Sequence, residues 1–362
     1  MHYYPGALGN SGVTFALWSW ARAQAAAGFE VLVLHAGNVE GGGPEFVSKA
    51  QTRGLTAREV PHRGGSRIVR HPVGLGRHLG SRDLLILHEG WVAGNMVAAE
   101  AARRARVPYI VMPHGVYDSS WTRFVKPPRQ VRDRLERRVL EGAAAVHLFF
   151  DREAADVLQI APRAAFLTVP TGYDVPPERW IGGGDYLAWL GRVDPDHKGL
   201  DVLVRAIATL PPDARPVVHI HGYDYKGGVA RLNALIGECG VRDVIRLGEP
   251  LAKGEKLEFL RHARGYVLPS RWESHSIALL ESLALGVPSL VSSWIHIAPE
   301  LERADAAILA PPEQAALAAA LTRLSEQGVA LGDRGRQFVA DRFPWDSMIA
   351  SYIAELDRRG LG

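Results

Sequence analysis

Short apolar runs alternate with longer amphipathic stretches over almost the whole sequence. Strand, helix, strand units wound around parallel sheets produce that rhythm, because a buried parallel strand is apolar on both faces and its crossover helix on one. Strands are predicted over 30–35, 84–88, 109–112, 144–149 and 165–169, with helices over 13–27, 92–105, 129–140 and 152–158 between them. After residue 180 the rhythm restarts, with strands over 186–190, 217–220, 244–247, 265–268 and 289–291. The fold class expected is α/β, with two Rossmann-like doubly wound domains. A length of 362 residues suits two domains of that kind.

Between the two series lies VPTGYDVPPERWIGGGD, residues 169–185, whose density of Pro and Gly marks a connection. The expected division is 1–170, 171–343 and a closing helix in 344–362. In that last segment Trp345, Met348, Ile349, Tyr352, Ile353 and Leu356 recur at the spacing of one helix face. The beginning is irregular. A glycine-bearing loop, Gly6 to Gly12, leads into a helix, and such a loop normally follows a buried strand, yet only three residues precede Tyr4. Either the first strand is missing or the true start lies upstream.

Charge and cysteine content narrow the function classes. The 42 basic and 39 acidic side chains are too balanced for a broad nucleic-acid footprint, so no nucleic-acid partner is expected. One cysteine, Cys239, permits neither an internal disulfide nor a cysteine-built metal site. No apolar run approaches the roughly 18 residues that span a bilayer, and the start lacks a signal-peptide pattern. A soluble, cytoplasmic protein is the expectation.

The residues that carry chemistry concentrate in the second half. In LAWLGRVDPDHKGLDVLVRAI, Gly191-Arg192 and Lys198-Gly199 stand between a strand and an amphipathic helix. A guanidinium and an ammonium at the carboxyl edge of a parallel sheet, beside a helix N-terminus, make a site for a diphosphate. Farther on, VLPSRWESHSIALLESLALGVPSLVS reads as strand, polar loop, helix and strand. Ser274 and Ser276 are capping types, Gly286 is a C-terminal cap and Pro288 stops the helix. Glu273 precedes that helix and Glu281 lies within it, about 12 Å and roughly 80° apart if both are helical. Such a span suits a ligand reaching from a sugar across a diphosphate to a ribose.

In combination these motifs resemble the large family of retaining, nucleotide-sugar-dependent glycosyltransferases numbered four, which have the GT-B fold. The likeness rests on Gly191-Arg192, Lys198-Gly199, Glu273 and Glu281, and Gly286-Val287-Pro288. It extends to the loop GNSGV at 9–13, PHG at 113–115, TGYD at 171–174 and the closing helix. The resemblance implies two domains facing across a cleft, with the C-terminal helix returning to the first. It also implies transfer of a hexosyl unit from a nucleoside-diphosphate sugar to a saccharide or lipid-linked saccharide, as in polysaccharide, glycolipid or glycoconjugate assembly. No cofactor and no metal are expected.

By the same resemblance, Arg192 and Lys198 bind the donor diphosphate and stabilise the leaving group. Glu281 accepts from the ribose hydroxyls. Glu273 contacts the transferred sugar, with Ser274, His275, Ser276 and Ile277 offering backbone N–H groups, and Gly12 lies beside the diphosphate. Ser274 stands where the family often has Gly, which narrows that approach. His114 lies near the reacting sugar, while His88, Trp121 and Lys126 are acceptor-side or positioning groups. The implied mechanism retains anomeric configuration without a covalent nucleophile.

Other patterns have simpler explanations. Asp194-Pro195-Asp196 matches an Asp-any-Asp metal motif but lies inside the cationic loop. His219 and His221 share a strand face with no evident third ligand. Gly74-Leu75-Gly76 follows no strand and does not make a dinucleotide fingerprint. Residues 123–138 carry seven basic and two acidic side chains, and Val131, Leu135 and Val139 recur every four positions. That stripe would pack on the core and leave a cationic face, either simply solvated or holding the chain at an anionic membrane. A nucleotide-sugar epimerase of the same fold is the alternative activity, with a non-catalytic sugar-nucleotide binder third.

Overall fold

The computed structural model describes residues 1–6, 11–36, 54–65, 69–118, 129–326 and 328–361. The chain divides into two compact units, Met1–Gly172 with Trp345–Gly362, and Tyr173–Pro344.

The first unit is built on a seven-stranded sheet in the order β3-β2-β1-β6-β7-β8-β9, every neighbouring pair parallel. Its strands are β1 (His2–Tyr4), β2 (Val31–His35), β3 (Leu55–Glu59), β6 (Leu85–His88), β7 (Tyr109–Met112), β8 (Ala145–Leu148) and β9 (Phe166–Thr168). A small antiparallel hairpin, β4 (His62–Arg63) with β5 (His71–Pro72), lies apart from this sheet. The helices are α1 (Gly12–Ala26), α2 (Ala93–Ala105), α3 (Arg129–Glu141) and α4 (Glu153–Ile160). The first strand is therefore present at His2–Tyr4, where the sequence left open whether it was missing or lay upstream. β1 is three residues long and sits between β2 and β6, in the interior of the sheet. Hydropathy hides it because His2 is a polar residue that is nevertheless fully buried, its ring nitrogens bonded to other side chains.

The second unit repeats the architecture with six parallel strands, β12-β11-β10-β13-β14-β15. These are β10 (Tyr186–Leu190), β11 (Val217–His221), β12 (Ile245–Gly248), β13 (Gly265–Leu268), β14 (Ser289–Ser292) and β15 (Ile308–Ala310). The helices are α5 (Leu200–Thr209), α6 (Gly228–Glu238), α7 (Lys253–His262), α8 (Ile277–Leu285), α9 (Ala298–Arg303), α10 (Gln314–Ser325) and α11 (Val329–Arg342). Leu203, Ile207, Val218, Ile220, Val267 and Leu290 form the centre of its core.

Strand order reverses between β1 and β6 in the first sheet and between β10 and β13 in the second. In open α/β sheets ligands bind outside the carboxyl ends of the strands at such a reversal.

The closing helix α12 (Trp345–Arg358) belongs to the first unit. Trp20 of α1 packs edge-on against Trp345 at 5.2 Å and tilted against Tyr352 at 5.1 Å. Gly172 admits the Trp345 ring, since a Cβ there would lie 2.5 Å from it. The basic helix α3 differs from expectation. It buries Glu136, Val139 and Leu140, whereas Val131 is 65% and Leu135 45% exposed. Glu136 replaces an apolar residue in the buried stripe because it accepts from the Trp91 N–H and the Tyr117 hydroxyl.

Candidate functional site

In the second unit the site is built at the switch point, from the loops after β10 and β13. Gly191 directly follows β10 with φ 155°, a conformation that favours glycine. Gly222, just after β11, touches it backbone to backbone, for a Cβ on Gly222 would stand 1.6 Å from the Gly191 oxygen. This contact fixes where the chain turns out to Arg192. The Arg192 guanidinium lies over the Tyr225 ring at 4.2 Å, with Nη2 2.6 Å from His197 Nδ1 and 3.6 Å from Asp194 Oδ2.

Arginine has only donors, so His197 Nδ1 accepts and its proton resides on Nε2. Nε2 donates to the Trp272 carbonyl at 3.0 Å, and the imidazole stacks on the Trp272 ring at 4.1 Å. Burial, then the charges of Lys198 and Arg192, hold the His197 pKa well below its ordinary value. A neutral histidine thus anchors the cation of one loop to the backbone of the other.

Lys198 and Glu273 make a second link between the loops. Nζ lies 2.5 Å from Glu273 Oε1, which also accepts from Ser270 Oγ at 2.8 Å. Gly199 follows with φ 63°, and a Cβ there would meet the Pro269 oxygen at 1.9 Å. Glycine is therefore what allows the lysine loop to lie on the end of β13. Arg271 completes the junction with a bidentate pair to Asp201, both contacts 2.7 Å.

Ser276 caps α8 by accepting from the Leu279 N–H at 3.4 Å, and Ile277 is the first helical residue. Ser274 and His275 form the turn before it. His275 is held at a pKa of about 3 by burial and the Arg342 charge, so it is neutral. Glu281 is ion-paired with Lys256 of α7, a residue the sequence patterns do not single out. The buried Tyr266 hydroxyl has no hydrogen-bond partner among the described residues. Its pKa is pushed well up by burial and then by the charges of Glu273 and Glu281. The site thus joins Arg192, Lys198, Glu273 and Glu281 to supporting groups outside the predicted set: His197, Tyr225, Ser270, Trp272 and Lys256. His197 had a signal, since it directly precedes Lys198; Lys256 had none.

Asp194 turns inward, accepting from the His197 N–H at 3.4 Å, whereas Asp196 is exposed and lies 3.9 Å from Arg231. The two carboxylates serve different partners. His219 stacks on Tyr186 at 4.4 Å, and His221 Nδ1 lies 2.9 Å from the Glu249 carbonyl. Neither belongs to a metal-ligand cluster among the described residues.

In the first unit Gly12 opens α1, with Ser11 accepting from the Thr14 N–H at 3.2 Å. A Cβ on Gly12 would meet no described atom within 4 Å. His88 ends β6, and His114 follows β7 with φ 55°, unusual for a residue with a Cβ. His88 Nδ1 and His114 Nε2 are 2.8 Å apart. Trp121 and Lys126 lie outside the described residues.

Known proteins supply the context. The sequence pattern of the glycosyl transferases group 1 matches residues 177–337, and that of the glycosyl transferase 4-like domain matches residues 11–172. The chain is 26% identical over 308 residues to the D-inositol 3-phosphate glycosyltransferase of Jonesia denitrificans, covering 75% of this chain and 71% of that protein. It is 30% identical over 251 residues to the MMP alpha-(1->4)-mannosyltransferase of Mycolicibacterium hassiacum, covering 66% of this chain and 58% of that one. The structure of HepE from Anabaena in complex with UDP-glucose shares the fold, with a TM-score of 0.78 at 14% identity over 99% of both chains. Two parallel α/β sheets, each with a reversal of strand order, and pattern matches covering both units lead to one conclusion: the chain belongs to the group 1 glycosyltransferases.

Proposed function

We propose that this glycosyltransferase moves a hexosyl unit from a nucleoside-diphosphate sugar to a hydroxyl of a saccharide or lipid-linked saccharide, with retention and without a metal. The observation that carries it is the Arg192 and Lys198 pair at the switch point, each cation linked across the two loops, Lys198 directly to Glu273 and Arg192 through His197 to the Trp272 backbone. Two fixed cations suit the two phosphates of a leaving diphosphate, where pre-oriented charge is worth several kcal/mol. Glu281, on α8, is the proposed ribose acceptor, and binding there requires the hydroxyls to share the carboxylate with Lys256. The complex of HepE with UDP-glucose makes a uridine donor the first to test.

In the proposed reaction the bond from the anomeric carbon to the diphosphate oxygen breaks through an oxocarbenium-like state. The acceptor oxygen bonds on the same face, and its proton passes to the departing diphosphate. Glu273 acts as an anchored carboxylate rather than a nucleophile, which its bonds to Lys198 and Ser270 support. Gly12 and His114 are assigned to the donor by resemblance, and Ser274, His275, Ser276 and Ile277 to backbone contacts. Arg192 and Lys198 supply the electrostatic role that a divalent cation plays elsewhere, hence the expectation of metal independence.

No described helix is long and apolar enough to cross a membrane. Peripheral attachment at a cytoplasmic, anionic surface is supported by one face of α3. Val131, Arg134, Leu135 and Arg138 lie there together, all exposed. Arg132 stacks on Trp91 at 4.2 Å and is not part of that face. Sedimentation with anionic vesicles that persists in Val131→Ser/Arg134→Ser/Leu135→Ser would remove this part of the proposal.

Incubation with a panel of nucleotide sugars, with and without saccharide acceptors, tests the activity. Transfer requires an acceptor, whereas donor interconversion without one would mark an epimerase. NMR of the product gives the anomeric outcome, and loss of activity on chelation would overturn metal independence.

A further inference from the structure

Three histidines of the first unit are strung together by hydrogen bonds. His2 Nδ1 lies 2.9 Å from His88 Nε2, and His88 Nδ1 lies 2.8 Å from His114 Nε2. The rings lie edge to edge and near coplanar, with centroids 5.2 and 5.1 Å apart and planes 22° and 19° from parallel. At the inner end, His2 Nε2 is 2.6 Å from the side-chain carbonyl oxygen of Gln24 on α1.

Strand register brings the rings together. His2 of β1 pairs with Ile86 of β6, and His88 pairs with Met112 of β7. Side chains two residues apart share a face, so each successive histidine sits two positions nearer the carboxyl edge on the next strand. His2 and His88 are fully buried, and Gln24 is nearly so. Only His114, past the end of β7, reaches the edge where open sheets bind ligands.

The hydrogen-bond inventory gives the chain a direction. A carbonyl only accepts, so His2 donates from Nε2 to Gln24 and accepts at Nδ1. His88 then donates from Nε2 and accepts at Nδ1, and His114 must donate from Nε2. The two inner rings are suited to this because each is neutral. Burial, then the Met1 ammonium, lowers the His2 pKa to about 3. Burial, then His114, lowers that of His88 well below its ordinary value.

We propose that Gln24, His2 and His88 act as a latch that holds His114 as its Nε2–H tautomer, which makes Nδ1 the accepting nitrogen of that ring. The three are positioning residues, and the proposal rests on the assignment of His114 to the transfer site. Gln24 ends the chain in an amide that cannot take a proton. The row therefore orients His114 rather than conducting protons away from it. His114 can gain a proton at Nδ1 and lose it there without any change in the bonds behind it. The same bonds offset the cost of holding a non-glycine residue at φ 55°.

The test is a long-range 1H–15N correlation spectrum of the full chain labelled with 15N-histidine, recorded at neutral pH. His2, His88 and His114 are expected to show pyrrole-like Nε2 and pyridine-like Nδ1. Gln24→Glu keeps an acceptor and is expected to preserve the pattern. Gln24→Leu removes it and is expected to shift His114 Nδ1 toward a tautomer average. A proton on His114 Nδ1 in the unaltered chain, or an unchanged spectrum in folded Gln24→Leu, would overturn the latch. If Gln24→Leu does not fold, the unaltered chain decides alone. The spectrum needs no donor sugar, so failure of the latch is distinguishable from failure of the transferase reading.

Discussion

Lys198 and Glu273 hold each other across the switch point of the second sheet, Nζ to Oε1 at 2.5 Å, with side chains only 16% and 11% exposed. Removing one partner strands a largely buried charge, which costs about 3 kcal/mol. Lys198→Ala and Glu273→Gln are each expected to lower unfolding free energy by that order. The double variant should lose less than their sum, by about 1 kcal/mol or more. Transfer should fall by about two orders of magnitude in Lys198→Ala. Denaturant unfolding and initial rates measure both, and additive stability losses would mean that the pair is not coupled.

Two glycines set the shape of that junction. A Cβ on Gly199 would stand 1.9 Å from the Pro269 oxygen, and one on Gly222 1.6 Å from the Gly191 oxygen. Both obstacles are backbone, which gives way only if a strand end moves. Gly199→Ala and Gly222→Ala are each expected to destabilise by about 3 kcal/mol. Gly12→Ala, where a Cβ meets no described atom within 4 Å, should fold normally. Comparison of the three melting curves checks this.

His197 bonds the Arg192 guanidinium through Nδ1 and the Trp272 carbonyl through Nε2, so its replacement is expected to act through the guanidinium. His197→Ala removes the acceptor at 2.6 Å and the ring stacked on Trp272. A fall in kcat of about 10- to 100-fold is expected, as for other groups that orient a functional residue. An unchanged kcat with a raised KM would instead make His197 a binding group.

The Lys256 and Glu281 pair is more open, with the lysine side chain 31% exposed. Lys256→Met is expected to change stability by less than about 1 kcal/mol. Because the lysine fixes one oxygen of the proposed ribose acceptor, its loss should raise donor KM several-fold and leave kcat nearly unchanged. A kcat effect without a KM effect would contradict the ribose assignment.

Much of this architecture was legible because buried parallel strands are apolar runs: 109–112, 186–190 and 265–268 have the predicted limits. What was hidden has physical causes. β1 contains His2, whose polarity is cancelled by hydrogen bonds that no local pattern reveals. β3 has only Leu55 buried and lacks the apolar run of a central strand. On α3 the four-residue recurrence of Val131 and Leu135 pointed inward, but Glu136, satisfied by Tyr117 and the Trp91 N–H, took the buried place. Arg192, Lys198 and Glu273 stood out because their motifs are local. Their supports Trp272, Ser270 and Lys256 are recognisable only after the loops meet.

Buried neutral histidines make the protein acid-sensitive. Burial lowers the pKa of His2 and of His275 to about 3 and that of His147 to about 4, from an ordinary 6.5. In the unfolded chain each takes up a proton as pH falls through about 6.5, whereas the folded forms remain neutral. Their contribution is fully present above that pH and is lost as pH falls toward 4 and 3. Each costs about 1.4 kcal/mol per pH unit over that window. His147→Gln retains a donor for the Val169 carbonyl, which His147 Nε2 reaches at 2.8 Å. This variant should reduce the pH slope of stability between 6 and 4.5 by about one proton. Unfolding curves over that range check the slope, and an unaltered slope in folded His147→Gln would show that His147 is already protonated in the native protein.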